Sequence, residues 1–203
     1  MQEFSCPDYG VKSEVIVPSE KMRFHIETER LILRELRVSD LEDWFEMDSD
    51  PEVHRYLGNQ PVKDIEQIKS AFQSIRQQYV DNGIGRWATI EKSSGKFIGW
   101  SGLKFVREEE NNHVDYYDVG YRLNPKYWGK GYATESCRAA LDYGFNTLNV
   151  LEIIGTVNEE NKASRRVLEK CGLRFVEKFM WNDIGCDWMK ITREEWQMQG
   201  ALL

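Results

Sequence analysis

The sequence predicts a mixed α/β fold of α+β character: a mostly antiparallel central sheet of about seven strands with helices on both faces. Three observations carry this expectation. Short runs alternate apolar and polar residues, longer runs repeat apolar residues at helical spacing, and the two kinds follow one another as paired strands, then βαβα, then two final strands.

Residues 1 to about 24 are polar and aperiodic, with Pro7, Gly10 and Pro18. They read as an N-terminal extension to a single domain over 25–203. From Arg30, Leu31, Leu33 and Leu36 interleave with Arg30, Arg34 and Arg37, as in a half-buried strand. Ser39-Asp40-Leu41-Glu42 has the form of a capping box, Leu41, Trp44 and Phe45 share a helical face, and Asp50-Pro51 ends that helix. A second helix runs from about Lys63 to Val80 on Ile65, Ile68, Phe72, Ile75 and Tyr79, and Asn82-Gly83 stops it. Strands over 86–91 and 96–105 flank a Ser93-Ser94-Gly95 turn, and a charged loop at 107–112 leads to a strand from His113 to Leu123. A helix follows from about Gly131 to Phe145, with Ala133, Cys137, Ala140 and Leu141 inward. Next come a strand at 150–157 and a short helix capped by Asn161 and closed by Cys171-Gly172. Two last strands, about 173–181 and 187–192, form a hairpin around Ile184-Gly185.

Composition narrows the function. The 203 residues are 41% hydrophobic and 30% charged, enough for one real core. No apolar run approaches the roughly 20 residues of a membrane span, and the N-terminus lacks the pattern of a secretory leader. A net charge of −7 argues against a nucleic-acid backbone as partner and suits a cationic substrate weakly. The four cysteines form no Cys-x-x-Cys pair and the three histidines are scattered, so no metal is expected. Cys137 and Cys171 fall on apolar helix faces as free thiols, which points to the cytoplasm.

The most informative segment is Trp128-Gly129-Lys130-Gly131-Tyr132-Ala133, which opens a helix just after a strand. Successive backbone N–H groups at a helix start, two of them on glycines, make an anion site for a pyrophosphate. Lys130 either adds charge or points to solvent. A P-loop is excluded, since Gly131 stands where Ser or Thr should follow the lysine. A dinucleotide turn fits poorly: Thr134 replaces its third glycine, and the loop follows several strands instead of the first.

The stretch Tyr121-Arg122-Leu123-Asn124-Pro125-Lys126-Tyr127-Trp128-Gly129-Lys130-Gly131-Tyr132-Ala133-Thr134-Glu135 resembles the acetyl-CoA motif of the GCN5-related N-acetyltransferase (GNAT) superfamily, with Lys126 in place of the usual Gln or Arg. A second signature runs from Asn158 to Leu173. With the opening Glu27–Arg34 and the ending Ile191–Trp196, it is similar to the RimJ/RimL-like branch, which acetylates N-termini of ribosomal proteins. The resemblance covers about residues 25–197.

That resemblance implies splayed strands forming a V-shaped cleft for CoA. Pantetheine would lie along Tyr121, Arg122 and Leu123, the pyrophosphate on residues 128–133, and Asn158 and Asn161 would bond the pantetheine amides. Asn161 also reads as a plain helix cap, and Arg165 and Arg166 as a charged helix coat. Asp118 occupies the place of a general base for the acceptor amine; the other reading is a structural acid paired with a neighbour such as Arg86. Ser164 stands where a hydroxyl would assist the leaving thiolate, or is simply a polar residue in the first helical turn. His113 and Asp115 are weaker candidates. The oxyanion would meet a backbone N–H near Val119 to Tyr121. The implied reaction is acetyl transfer from acetyl-CoA to a primary amine, a protein N-terminus or a small molecule, by direct attack in a ternary complex. The alternative is a non-catalytic CoA-binding sensor or scaffold. A monomer or homodimer is expected.

Overall fold

A computed structural model describes residues 24–200. Eight strands form one sheet in the order β1-β2-β3-β4-β5-β6-β8-β7. They are β1 (His25–Glu27), β2 (Leu31–Arg34), β3 (Trp87–Glu91), β4 (Phe97–Val106), β5 (Tyr116–Leu123), β6 (Glu152–Asn158), β7 (Arg174–Trp181) and β8 (Ile184–Thr192). The helices are α1 (Leu41–Asp48), α2 (Pro51–His54), α3 (Ile65–Asn82), α4 (Tyr132–Asp142), α5 (Lys162–Lys170) and α6 (Arg193–Gly200). All neighbouring strands pair antiparallel except β5 and β6, which run parallel and share the single register pair Asp118–Ile154.

Helices cover both faces, as the two periodicities imply. On one face Cys137, Ala140 and Leu141 of α4 and Leu168 of α5 pack on Leu103, Val119, Ile153 and Met189. On the other, Trp44 and Met47 of α1, Val53 of α2 and Ile68 of α3 pack on Ala88, Ile90 and Phe97. Glycine permits a close approach at Gly155 of β6, where a Cβ would stand 2.9 Å from Leu173.

Several boundaries differ from the expectation, each for a local reason. Most of the expected extension, with Cys6, lies outside the described residues. Phe24, assigned to it, is buried against Tyr79 and Trp87. Ser39 does not cap α1. Asp40 instead turns back to accept from the Arg34 guanidinium at 2.7 Å and from the backbone of Arg37 at 2.8 Å. Asp50-Pro51 ends one helix and starts another, since the Asp50 carboxylate accepts from Glu52 N and proline suits the first helical position. Strand β5 starts at Tyr116, not His113, because Asp115 sits at φ +52°. The hairpin turns at Asn182-Asp183, ahead of the expected Ile184-Gly185. Both residues take positive φ (45° and 64°), which a two-residue turn matched to strand twist demands and short polar side chains tolerate. Helix α4 ends at Asp142 in a wider turn over Tyr143–Thr147. Cys137, Cys171 and Cys186 are free and buried. Among the described residues no helix is long and apolar enough to cross a membrane.

Leu103 is fully buried where β4 meets α4. Leu103→Ala should therefore cost about 2–5 kcal/mol, read as a lower urea midpoint with unchanged slope.

Candidate active site

β5 and β6 are neighbours in one sheet but pair at a single register position, Asp118–Ile154. A parallel pair that stops after one register position leaves backbone donors and acceptors of both strands open along the gap. At the top of β5 the chain passes through a short turn at Pro125–Tyr127 into Gly129 and Gly131, at φ +72° and +84°. Gly131 is the N-cap of α4 and has no side chain to occupy the first N–H groups, so those of residues 131–133 remain available to an anion. A Cβ at Gly129 would meet nothing within 4 Å, so its glycine serves φ and not crowding.

This loop is braced from below. Arg30 donates to Lys130 O at 2.9 Å, pairs with Glu135 at 2.7 Å and lies over the Tyr132 ring. The Tyr132 hydroxyl donates to Glu91 at 2.6 Å, and Trp128 Nε1 to Leu123 O at 2.7 Å. Lys130 Nζ rests 5.2 Å from the Tyr127 ring centre. Leu123 itself is buried, so only its backbone can take part in binding.

Alternation along β5 separates two sets of groups, as expected. Tyr121 turns to the α4 side with Val119. Its hydroxyl lies 2.9 Å from both Oγ and backbone O of Ser164. A phenol has one hydrogen. When it goes to the carbonyl, the Ser164 hydroxyl donates to Tyr121. When it goes to Oγ, the Ser164 hydrogen is free for another acceptor. Burial raises the Tyr121 phenol well above its ordinary range, so it stays protonated. Ser164 also gives its N–H to Asn161 Oδ1 at 3.1 Å, so Asn161 is a helix cap. Asn158 is engaged at both ends: Oδ1 accepts from Glu160 N at 2.8 Å, and Nδ2 donates to Tyr56 O at 3.5 Å. Arg165 bonds the fully buried Asp187 at 2.6 Å and is thus more than a coat.

Asp118, Gly120 and Arg122 turn to the opposite face, where Arg122 alone reaches α1 and the other two meet Arg86. Arg86 Nη2 pairs with the Asp118 carboxylate, and Arg86 Nη1 donates to the Asp118 carbonyl at 2.8 Å. Gly120 makes room for that guanidinium: a Cβ there would stand 2.6 Å from Arg86 Nη2. Asp118 is therefore brought to the gap, but as an ion-paired acid. Arg122 reaches Asp48 Oδ2 at 2.8 Å, and Trp44 Nε1 donates to the same oxygen at 2.9 Å. The Trp100 ring lies 5.0 Å from the Arg122 guanidinium and 5.7 Å from that of Arg86. His54 is buried, with Nε2 3.9 Å from Asp48 Oδ1. Burial, then Arg122, lower the imidazole pKa from 6.5, and Asp48 opposes them.

Near the strand start, His113 stacks on Trp188 at 4.8 Å instead of facing the gap. Burial, then the Asp118 charge, raise the Glu110 carboxyl. Beyond the end of β6 an open hollow of about 480 Å³ is lined by Tyr56, Glu159, Glu160, Lys162, Arg165, Lys178 and Asp187.

The model of the acetyltransferase (GNAT) domain family matches residues 30–174, from just ahead of β2 to the start of β7. The chain belongs to the GNAT acetyltransferases. It is 33% identical over 183 residues to the FsC-acetyl coenzyme A-N(2)-transacetylase of Aspergillus fumigatus, covering 84% of this chain and 77% of that one. It is 28% identical over 141 residues to the spermidine N(1)-acetyltransferase of Escherichia coli K12, covering 69% and 70%. The solved GNAT acetyltransferase from Bacillus anthracis superposes with a TM-score of 0.69 at 28% identity, over 84% of this chain and 99% of that one. The protein is accordingly an acetyl-CoA-dependent acetyltransferase with the mixed, mostly antiparallel GNAT sheet.

Sequence reading of this GNAT domain missed Arg30, Glu135, Asp48 and His54. The bond between Arg30 and Glu135 spans 105 residues, and no local pattern announces it. His54 follows Asp50-Pro51 by a few residues, so a proline at a helix start was the available signal.

The lowered His54 pKa has a stability consequence. The unfolded chain binds this proton near pH 6.5 and the native state resists it, so stability is full above 6.5 and falls as pH drops through the folded pKa. Melting temperatures of His54→Gln between pH 7 and 5 should fall less steeply than those of the wild type.

Proposed function

We propose that this acetyltransferase moves the acetyl group of acetyl-CoA to a primary amine, by direct attack within one ternary complex. The observation that carries this is the opening between β5 and β6, with an uncapped, glycine-led helix start at its top. The pyrophosphate would rest on the N–H groups of residues 128–133. Pantetheine would follow the open backbone at Tyr121, Arg122 and Leu123, with Asn158 and Asn161 at the facing rim. The Ser164 hydroxyl, in the state where Tyr121 donates to it, would give its hydrogen to the departing sulfur.

The acceptor reaches the thioester from the other face, beneath α1 and α2. Asp118 borders that approach. To serve as base it would act beside the Arg86 guanidinium that already holds its carboxylate. The acceptor class we favour is a small cationic amine or a peptide N-terminus. The relatives whose names specify an N(2)- or N(1)-amine support the first. The similarity of residues 27–34 and 158–173 to the RimJ/RimL-like branch supports the second. All groups named belong to one chain, which suits a monomer or homodimer. The free thiols suit a cytoplasmic setting.

Release of free CoA thiol, followed with spermidine, benzylamine and a short peptide bearing a free N-terminus, tests the reading. At least one amine should give turnover. No turnover with any, alongside acetyl-CoA binding, would leave a CoA-holding module instead. Ser164→Ala should lower kcat by about 100-fold while the Kd for acetyl-CoA stays unchanged; an unchanged kcat would remove Ser164 from the reaction.

A further inference from the structure

Lys130 stands between the two loop glycines, and its carbonyl is held from outside the loop: Arg30 Nη1 donates to Lys130 O at 2.9 Å. In a planar trans peptide the carbonyl and the following N–H point in opposite directions. The bond to Lys130 O therefore turns the Gly131 N–H away from Arg30. Arg30 lies just ahead of β2, which β3 and β4 separate from β5. It reaches the loop from the side away from the gap, so the Gly131 N–H is turned toward the gap side.

Without that bond the peptide is free to turn over. A flip changes ψ at residue 130 and φ at residue 131 together, and glycine at 131 accepts either sign of φ. It stands at +84°, and Gly129 at +72° leaves the other side of Lys130 equally permissive.

The guanidinium is itself fixed. Its Nε and Nη2 both reach Glu135 Oε2 at 2.7 Å, and the Arg30 backbone N–H donates to Glu135 Oε1 at 2.8 Å. Thr28 Oγ1 gives Oε1 a second bond at 2.6 Å. A carboxylate accepts about four hydrogen bonds, so Glu135 is filled, mostly by Arg30. The Tyr132 ring centre lies 4.5 Å from the guanidinium carbon. Gly131 again makes room, since a Cβ there would stand 3.3 Å from Arg30 Nη2. Glu135 is in the first turn of α4, where an unpaired carboxylate would repel an arriving anion; the Arg30 charge offsets it. The Arg30 side chain is 42% exposed, so its contacts are polar bracing and not core packing.

We propose that Arg30 is a positioning residue for the donor: it keeps the Lys130–Gly131 peptide in the orientation that presents the Gly131 N–H to the pyrophosphate, before any donor arrives. This rests on the reading above that sets the pyrophosphate on residues 128–133. A loop preset in this way loses less binding energy to ordering. The effect falls on the binding of acetyl-CoA and not on the transfer step, because Arg30 is on the far side of the loop from the gap.

The test is calorimetric affinity for acetyl-CoA of wild type, Arg30→Met and Arg30→Lys, with backbone 15N relaxation of each protein. Arg30→Met should bind acetyl-CoA about 10-fold more weakly. Its KM for acetyl-CoA should rise alike, while kcat at saturating acetyl-CoA stays within about twofold. Arg30→Lys keeps the charge but not the planar fork and should fall between. Residues 129–132 should be as ordered as the strands in free wild type, mobile in free Arg30→Met, and ordered again once acetyl-CoA is bound. Wild-type affinity in Arg30→Met, or a loss in kcat as large as that in affinity, would overturn the inference. Should Arg30→Met fail to fold, wild-type affinity and loop order in Arg30→Lys would overturn it equally. If acetyl-CoA leaves the amide signals of residues 129–133 of wild type unmoved, the placement of the pyrophosphate falls and the inference with it. If those signals move and the Arg30 variants bind as wild type does, the inference alone falls.

Discussion

Parallel strands that meet at one backbone pair cannot both continue a ladder beyond it, and the groups past that point must find other partners or stay open. In this chain the pair is Asp118–Ile154, and the surroundings are arranged to keep the strands apart. On the α4 side Tyr121 props β5 against the start of α5 through Ser164. On the other side Arg86 and Arg122 anchor β5 to β3, β4 and α1, and Gly120 lets the Arg86 guanidinium lie flat on the strand. The gap is thus an architectural feature with a separate set of tethers on each face.

Those two faces divide the chemistry. The α4 side offers neutral donors, which are main-chain N–H groups at a helix start and two hydroxyls, suited to a phosphate-bearing donor and a leaving thiolate. The opposite side offers the ion-paired carboxylates and guanidiniums of Asp48, Asp118, Arg86 and Arg122 beneath α1. The Arg30–Glu135 pair ties the first turn of α4 to the chain just ahead of β2, so the glycine loop is fixed by a contact from near the far end of the sheet.

Much of this was legible in the sequence, and the limits are physical. The glycine loop shows itself because its function depends on backbone conformation, which few residue types permit. Asn161 and Ser164 show themselves because helix caps have local signatures. The alternation of Asp118 and Tyr121 to opposite faces follows from strand geometry alone. Whether Asp118 stood free or paired did not follow, since Arg86 lies far off in sequence, just ahead of β3. Nor did the pairing of Asp48 with Arg122 or the location of His54, which depend on how α1 and α2 cross the sheet. The misplaced hairpin turn has a similar origin: Asn182-Asp183 and Ile184-Gly185 both contain turn formers, and only the register with β6 decides between them.

The most direct measurement of the central claim is amide hydrogen exchange with and without acetyl-CoA. Slower exchange should be confined to residues 129–134, to the exposed edge of β5 near 119–122 and to the end of β6 near 156–158, with α1 and α2 unchanged until an acceptor amine is added. Protection by acetyl-CoA elsewhere, with these three segments unaltered, would contradict the gap between β5 and β6 as the place where the donor binds.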